Sequence, residues 1–382
     1  DFDSRFALDE VRFWDFLEQT QPEELDKLKR QSDWKIKVLD RYDKLVKKYG
    51  ILRLLRKGLA VDDAHFTLFY VAPLQNSSQS IKDNFERNQF SVTRQLRYSQ
   101  ANPLEEIDMV IFINGIPVST IELKNQWTGQ NAKVHGINQY KLKRDTTQPL
   151  LNFGRCLVHF AVDTDEIYMT TKLDGAKTFF LPFNLGDNFG KGNPPNPFGH
   201  KTSYFWQDIL KKESLANIIQ HFVRFDGTEN EVLGKKTLFF PRYHQLDVVR
   251  RLLKDTSKNG AGKTYLIQHS AGSGKSNSIT WLAYQLIEAY PENETVSGNR
   301  PMNQPLFDSV IVVTDRRLLD KQLRDNIKEF SEVKNIVAPA YKSSDLKSAL
   351  ESGKRIIITT IQKFPFIIEG IADMSNKQFA VI

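Results

Sequence analysis

Residues 265–276 (YLIQHSAGSGKS) combine residue types and spacing that suit the binding of a phosphate chain. Small residues fill positions 270–274, and glycine lets backbone N–H groups close around a phosphate. Lys275 would reach the β- and γ-phosphates, and the Ser276 hydroxyl would hold Mg²⁺. The apolar run at 265–268 predicts a buried strand, and Lys275 would open a helix whose N-terminus favours anions. The expected nucleotide-binding residues of this stretch are Gly272, Gly274, Lys275 and Ser276.

The match to the usual phosphate-loop pattern, G-x-x-x-x-G-K-[ST], is incomplete because His269 stands where the first glycine belongs. An ordinary glycine-rich turn is the alternative interpretation. The nucleotide site is favoured because the apolar run, the small-residue loop and the helix start all agree with it.

A second stretch, residues 107–125 (IDMVIFINGIPVSTIELKN), has the charged residues that metal-dependent phosphodiester cleavage needs. Two apolar runs flank an Asn-Gly pair at 114–115, which predicts a β-hairpin. Asp108 lies in the first run, and Glu122 and Lys124 are two apart in the second, so they would share one face of a strand. Two carboxylates could hold Mg²⁺, and a lysine could stabilise developing charge. A plain edge hairpin with surface charges is the alternative.

The register of this hairpin distinguishes the two interpretations. If residues 114 and 115 alone form the loop, a regular ladder places Asp108 opposite Ile121, on the face away from Glu122. A three-residue loop or a β-bulge would instead place Asp108 directly across from Glu122. A shared metal site therefore requires one of these two irregularities.

The overall composition is that of a globular protein with a basic surface. The length of 382 residues suits two or three domains. The formal net charge of +7 and the pI near 9.1 suit a polyanion partner such as DNA. Cys156 is the single cysteine, so no internal disulfide can form and a reducing, cytoplasmic location is expected. The chain lacks an apolar run of about 18 residues and a Cys/His cluster, so neither a membrane span nor a zinc site is expected.

The first part of the chain is predicted to be helical at 1–58 and to contain strands at 66–71, 156–162 and 166–171. His159 lies within an apolar run and is expected to be a satisfied core residue. A basic cluster at Arg53, Arg56 and Lys57 suits a solvated helix face or, alternatively, a phosphate contact.

A helix is predicted at 131–144. Its residues Gln139 and Tyr140 could contact DNA or support a metal site, and a solvated face is the alternative.

The polar, glycine-containing segment 226–236 predicts a domain boundary. Beyond it, apolar strands at 308–314 and 355–360 alternate with helices at 246–254, 279–290 and 316–330. Such alternation predicts a parallel sheet of the doubly wound type.

Together these segments resemble the restriction (R) subunit of type I restriction-modification enzymes. The matching segments run along nearly the whole chain and include IDMVIFINGIPVSTIELKN, TTKLDGAKTFFLPFN, FFPRYHQLDVVRRL, YLIQHSAGSGKSNS and DSVIVVTDRRLLDKQL. The resemblance implies an α/β fold. A PD-(D/E)xK restriction-endonuclease-like domain, residues 1–230 with a core at about 60–175, would precede a truncated RecA-like parallel-sheet domain of helicase superfamily 2, residues 231–382.

The resemblance also implies residue roles. Asp108, Glu122 and Lys124 would be the nuclease residues, with Asp108 and Glu122 as metal ligands. Gln245, in the segment PRYHQ, would read adenine beside the phosphate loop, where ATP and Mg²⁺ bind. The DNA-side motifs of the motor would include Arg316, Gln322, Thr360 and Lys363.

The sequence departs from the family pattern in three places. The acidic box of the ATPase and the second motor lobe are expected beyond residue 382, so this chain is expected to bind ATP but to hydrolyse it poorly or not at all. An additional N-terminal helix with a nuclease carboxylate is expected before residue 1. The Gln-x-x-x-Tyr pattern of related nucleases is imperfect, because Lys143 takes the tyrosine position after Gln139.

The sequence thus predicts part of an ATP-dependent translocase of double-stranded DNA that carries a Mg²⁺-dependent endonuclease. Modification (methyltransferase) and specificity subunits would direct it to unmodified foreign DNA. A helicase-nuclease of DNA repair that acts without such partners is one alternative. A DNA- and ATP-binding module with an inactive nuclease is the other.

Overall fold

The structure is a computed structural model that describes residues 2–30, 32–74, 76–227, 231–293, 300–315, 337–367 and 374–382. The chain divides into two compact units, residues 1–73 with 77–243, and residues 74–76 with 244–382. The predicted helix at 316–330, with the candidate DNA-binding residues Arg316 and Gln322, lies outside the described residues.

The first unit begins with the helices that the apolar periodicity predicts. In the third of them, Val38, Leu39, Tyr42 and Val46 recur at helical spacing and are buried. The elements of this region are β1 (Phe2–Asp3), β2 (Leu8–Asp9), α1 (Glu10–Thr20), α2 (Pro22–Leu28), α3 (Trp34–Tyr49), α4 (Ile51–Lys57), β3 (Leu59–Val61) and β4 (Ala64–Phe66). The helical N-terminal region is therefore confirmed.

A six-stranded mixed sheet forms the centre of the first unit, in the order β10-β9-β8-β7-β6-β5. Strands β7 and β8 run parallel, and the other neighbours are antiparallel. The strands, with the helix before them, are α5 (Gln79–Glu86), β5 (Phe90–Arg97), β6 (Glu106–Ile113), β7 (Ile116–Leu123), β8 (Val158–Val162), β9 (Ile167–Thr170) and β10 (Leu181–Pro182). The predictions at 156–162 and 166–171 are confirmed as β8 and β9.

The predicted helix at 131–144 forms with π-type turns, Ala132–Gly136 and Gln139–Lys143. Its first part packs on β7, β8 and β9. Gly136 permits this close approach, because an added Cβ would lie 2.9 Å from the Ala161 Cβ and 3.5 Å from the Lys124 Cγ. The segment therefore covers the face of the sheet that carries Lys124.

The prediction of a strand at 66–71 was wrong, since β4 ends at Phe66. Side-chain amides replace a neighbouring strand here. Gln21 receives a bond from the Thr67 N–H at 2.6 Å and donates to the Thr67 carbonyl at 2.8 Å. Asn88 does the same for Tyr70, at 3.0 and 2.7 Å. The segment is thus partly buried and hydrogen-bonded without joining a sheet.

The first unit continues past residue 230. After a π-type turn at Phe205–Ile209 and helix α6 (Lys212–His221), strand β11 (Arg224–Asp226) pairs with β12 (Thr237–Phe239). The polar segment between these strands therefore connects two elements of one unit. Arg56 closes the end of α6 by donating to the carbonyls of Ile219, Gln220 and Val223, so its side chain has a structural role.

The second unit contains the predicted parallel sheet. Four strands follow the order β14-β15-β13-β16, and every neighbouring pair is parallel. Helix α7 (Tyr243–Asn259) begins one residue before the long segment of this unit, which starts at residue 244. The other elements are α8 (Lys275–Leu286), β13 (Ser309–Thr314), β14 (Val337–Pro339), α9 (Ser343–Glu351), β15 (Ile356–Thr360) and β16 (Phe379–Val381). The predictions of strands at 308–314 and 355–360 are confirmed as β13 and β15.

The predicted buried strand at 265–268 is not present in the structure. These residues have no regular secondary structure and are exposed, and Leu266 retains 97% of its accessible surface. An apolar run becomes a strand only when a neighbour supplies ladder hydrogen bonds. Among the described residues, none pairs with this segment in a sheet.

In the part of the chain that the structure describes, no helix has the length and apolar character needed to cross a bilayer.

Candidate functional sites

The turn of the β6–β7 hairpin has the two-residue form that its sequence predicts. Asn114 and Gly115 both have positive φ, +53° and +77°, which is the conformation of a tight hairpin turn. The position after Asn114 also requires glycine for space, since an added Cβ would lie 2.3 Å from the Asp9 carbonyl oxygen. Buried Asn114 donates to the Leu68 carbonyl and accepts from the Gln89 N–H, which anchors the turn.

A β-bulge follows the turn and changes the register. Ile113 pairs with Ile116, but the ladder shifts so that Met109 pairs with Ile121. Continued by one residue, this register places Asp108 across from Glu122. The bulge is one of the two irregularities that a shared metal site requires, so the hairpin has the register that such a site needs.

The three predicted nuclease residues meet at the end of this hairpin. The Lys124 Nζ lies 3.8 Å from the Asp108 Oδ2 and 4.0 Å from the Glu122 Oε2. It also donates to the Leu123 carbonyl at 3.0 Å. Asp108 is fixed by the Leu123 N–H, which donates to its Oδ2 at 2.7 Å. An ammonium group between two carboxylates occupies the kind of position that suits a cation.

Arg144 is a fourth charged residue at this site. Its Nε and Nη2 lie 2.8 and 2.6 Å from the Glu122 Oε1. Its Nη2 also donates to the Glu106 carbonyl at 2.5 Å, and its guanidinium carbon lies 5.8 Å from the centre of the Tyr98 ring. Arg144 is therefore held by β6 at the same time as it holds a carboxylate of β7.

Glu122 is the most deeply buried member of the group. Its side chain has no exposed surface, while Asp108 retains 37% of its accessible side-chain surface. Burial raises the pKa of Glu122 to about 8, and nearby Asp108 contributes in the same direction, although Arg144 opposes the shift. A buried carboxyl with a raised pKa beside a second carboxylate is typical of functional sites.

Tyr140 supports the strand that carries Glu122. Its buried hydroxyl lies 2.8 Å from the Thr120 Oγ1, which in turn lies 2.7 Å from the His159 Nδ1. Burial lowers the pKa of His159 to about 3. His159 is therefore the satisfied core histidine that the sequence predicts, and Tyr140 is buried in the core.

The carboxylates can be tested for their fit to a metal. The Glu122 Oε2 is buried and has no hydrogen-bond partner. Such an atom is costly unless a cation or a proton satisfies it. Asp108 and Glu122 thus fit an oxygen-coordinated Mg²⁺. Among the described residues there is no group of three or more His, Cys, Asp or Glu side chains placed to hold a metal.

The phosphate loop of the second unit has the predicted loop and helix. Gly272 and Gly274 have φ of +71° and +82°, so the loop needs glycine at both positions. Helix α8 begins at Lys275, whose Nζ donates to the carbonyls of His269 and Ser270 at 3.3 and 3.1 Å. Ser276 lies in the first turn of this helix. The lysine thus folds back over the loop at the start of the helix.

Gln245 packs directly against this loop. Its Nε2 donates to the carbonyls of Ser273 and Gly274 at 3.2 and 3.0 Å, and it is almost fully buried. A side chain at position 274 would lie 2.4 Å from the Gln245 Nε2. The predicted adenine-reading residue therefore lies beside the predicted phosphate-binding residues.

Two of the predicted DNA-binding residues are described by the structure. Thr360 ends β15 and pairs with Thr314 at the end of β13, and its side chain is largely buried. The Lys363 Nζ donates to the Ala340 carbonyl at 2.6 Å. Arg316 and Gln322 lie outside the described residues.

Comparisons with known proteins agree with the two-part organisation. Residues 14–178 match the family model described as type I restriction enzyme R protein N terminus, and residues 244–382 match the SWI2/SNF2 ATPase model. The N-terminal part of the chain is similar to the R proteins of type I restriction enzymes. The resemblance deduced from the sequence motifs is thus confirmed, and an ATPase-type parallel-sheet unit follows the R-protein segment.

The individual relatives are distant but cover most of the chain. The type I restriction enzyme HindI endonuclease subunit of Haemophilus influenzae is 25% identical over 84% of this chain and 29% of its own length. A Methanocaldococcus jannaschii protein provisionally named as the MjaVIIIP endonuclease subunit is 26% identical over 77% of the chain and 25% of its own length. The type I restriction enzyme SsaAORF53P endonuclease subunit of Staphylococcus saprophyticus is 24% identical over 76% of this chain and 28% of its own length. The chain therefore spans less than a third of the length of these relatives.

Sequence reasoning missed the role of Arg144. The periodicity places it on the polar, basic side of the predicted helix at 131–144, whereas the structure places it against Glu122. Its position after the last π-type turn, with extended backbone, redirects the side chain toward the sheet. A distance of 22 residues from Glu122 leaves no local signal for this pairing.

Proposed function

We propose that the first unit is a Mg²⁺-dependent endonuclease of the PD-(D/E)xK type. The observation that carries this proposal is the convergence of Asp108, Glu122 and Lys124 through a bulged hairpin. When bound, Mg²⁺ would polarise the scissile phosphate and activate water. Asp108 and Glu122 would hold the metal, and Lys124 would move toward the phosphate and stabilise the charge that develops there.

The second unit is proposed to bind ATP and Mg²⁺ and to be part of a superfamily 2 motor on double-stranded DNA. Gly272 and Gly274 would shape the loop, Lys275 would contact the phosphates, Ser276 would hold Mg²⁺, and Gln245 would read adenine. Lys275 is exposed and Gln245 is adjacent to the loop, which supports this assignment. Arg316, Gln322, Thr360 and Lys363 remain proposed DNA contacts.

The whole protein is proposed to act as the R subunit of a type I restriction system. The first unit, which extends to residue 243, would be the endonuclease-like domain, and the second unit would be the beginning of the motor. The motor would translocate duplex DNA with ATP, and modification and specificity subunits would direct cleavage to unmodified foreign DNA. The related endonuclease subunits support this proposal.

The first test is Mg²⁺-dependent nicking of supercoiled plasmid without ATP, with Glu122→Ala and Lys124→Ala compared with the wild-type chain. Loss of nicking by at least about 100-fold in both variants is expected, because each removes a group that contacts the metal or the reacting phosphate. Asp26→Ala and Lys177→Ala, which change an exposed carboxylate and an exposed lysine, should nick like wild type. Nicking that persists in both site variants would place the activity elsewhere.

Two other outcomes of these experiments would favour the two alternative functions. A DNA-repair helicase-nuclease acting alone is favoured if the chain nicks DNA but captures no modification subunit. A DNA- and ATP-binding module with an inactive nuclease is favoured if all of the folded proteins bind DNA and ATP but none nicks the plasmid.

A further inference from the structure

Arg144 divides the Glu122 carboxylate into two unlike oxygens. Oε1 receives the guanidinium contacts at 2.6 and 2.8 Å, whereas Oε2 is buried without a hydrogen-bond partner. Oε2 is also the oxygen that lies 4.0 Å from the Lys124 Nζ. The unsatisfied oxygen therefore points into the group formed by Asp108 and Lys124.

The guanidinium itself is held in a fixed orientation. Its Nη2 donates to the Glu106 carbonyl of β6, and the group lies near the Tyr98 ring. Arg144 exposes only 7% of its side-chain surface. A planar group with several donors and fixed neighbours restricts the rotation of the carboxylate that it contacts.

We propose that Arg144 is a positioning residue that binds Glu122 through Oε1 so that Oε2 alone is presented to the divalent cation. This inference rests on the proposed nuclease function. Arg144 does not contact the metal or DNA in this arrangement. It makes Glu122 a ligand through one oxygen, and Asp108 supplies the second carboxylate.

The charges of the four side chains are consistent with one bound cation. Asp108 and Glu122 carry two negative charges when ionised, and Lys124 and Arg144 carry two positive charges. A single divalent ion would leave the site with a net positive charge, which favours the approach of a phosphodiester. A second divalent ion would meet repulsion without a further carboxylate to offset it.

Mn²⁺ binding to the full 382-residue chain tests this role, measured by calorimetry at one fixed pH without nucleotide. Glu122→Gln defines the signal that comes from this site. Arg144→Met should weaken the Glu122-dependent Mn²⁺ Kd at least tenfold, because Oε1 loses its partner and the carboxylate can rotate. Arg144→Lys should be intermediate, since it keeps the charge but loses the paired donors. Arg94→Met, an exposed arginine of β5, should match wild type.

Plasmid nicking supplies the second measurement. In Arg144→Met the Mg²⁺ concentration for half-maximal nicking should rise about tenfold while the KM for DNA stays unchanged, a split that a loss of general stability would not produce. If Arg144→Met does not fold, the Mn²⁺ affinity of Arg144→Lys tests the positioning role. Mn²⁺ binding within twofold of wild type in the folded Arg144 variants would overturn the positioning role. A wild-type chain without Glu122-dependent Mn²⁺ binding would instead overturn the nuclease proposal itself.

Discussion

The two candidate sites differ in how their side chains are brought together. In the phosphate loop, Gly272, Gly274, Lys275 and Ser276 are neighbours in the chain, and two positive φ angles with a helix start produce the site. In the nuclease group, residues 108, 122, 124 and 144 come from two strands and the segment after a helix. The first site depends on local backbone geometry, whereas the second depends on sheet register and on helix packing.

The surroundings of the two sites differ in the same way. Glu122 is fully buried and Arg144 almost so, and both are tied to neighbouring strands. Residues 265–268, before the phosphate loop, are exposed, and they join no sheet among the described residues. The phosphate loop thus takes its shape from consecutive residues and one outside contact, Gln245, whereas the nuclease group depends throughout on packed contacts between distant residues.

The largest effect that separates the two sites is expected from Lys275→Ala. The lysine should make charge-assisted hydrogen bonds to ATP phosphates, so its loss should weaken ATP binding by about 100-fold. Plasmid nicking without ATP should remain at the wild-type rate. Fluorescent-ATP titration and the nicking assay check both halves, and Lys258→Ala in α7 is the matched control. A parallel loss of nicking would show that the two sites are not independent.

A smaller effect on the nuclease site is expected from Gly136→Ala. The added methyl group would lie 2.9 Å from the Ala161 Cβ, so the two elements would have to move apart where the segment also contacts the Lys124 Cγ at 3.5 Å. A displacement of Lys124 should lower the nicking rate by about tenfold. ATP affinity should not change. Gly234→Ala, where an added Cβ meets nothing within 4 Å, is the control. An unchanged nicking rate would show that helix packing does not set the Lys124 position.

The smallest effect concerns the pH dependence of the first unit. Burial lowers the pKa of His159 from 6.5 to about 3, so the unfolded chain takes up a proton below about pH 6.5 while the folded chain does not. His159 thus favours folding above that pH, and this contribution is lost as the pH falls toward 3. Between pH 6.5 and about 5 the loss should be about 2 kcal/mol.

Urea-dependent hydrogen exchange of β8 peptides measures this change in the free energy of unfolding. The His159→Asn variant removes the titrating group and should show a smaller decline over the same pH range. Equal declines in the two proteins would assign the acid sensitivity to other groups.

Several features could be predicted from the sequence because the interactions that form them are local. The Asn-Gly turn, the strands β8, β9, β13 and β15, and the phosphate loop each depend on a few consecutive residues. The segments 66–71 and 265–268 show the limit of that reasoning. Both have the apolar composition of strands, yet one is bonded by the amides of Gln21 and Asn88 and the other has no neighbour in the described residues. Composition does not specify the partner of a backbone hydrogen bond.

The sequence by itself determined that Asp108, Glu122 and Lys124 lie on one hairpin and that a glycine-containing loop leads into a helix at Lys275, because residue type, alternation and turn chemistry act locally. The tertiary structure decided the rest. A bulge in β7 places Asp108 opposite Glu122, and packing of the segment at 132–143 brings Arg144 onto the Glu122 Oε1. These outcomes depend on register and on contacts between distant residues, whose energies no local pattern encodes.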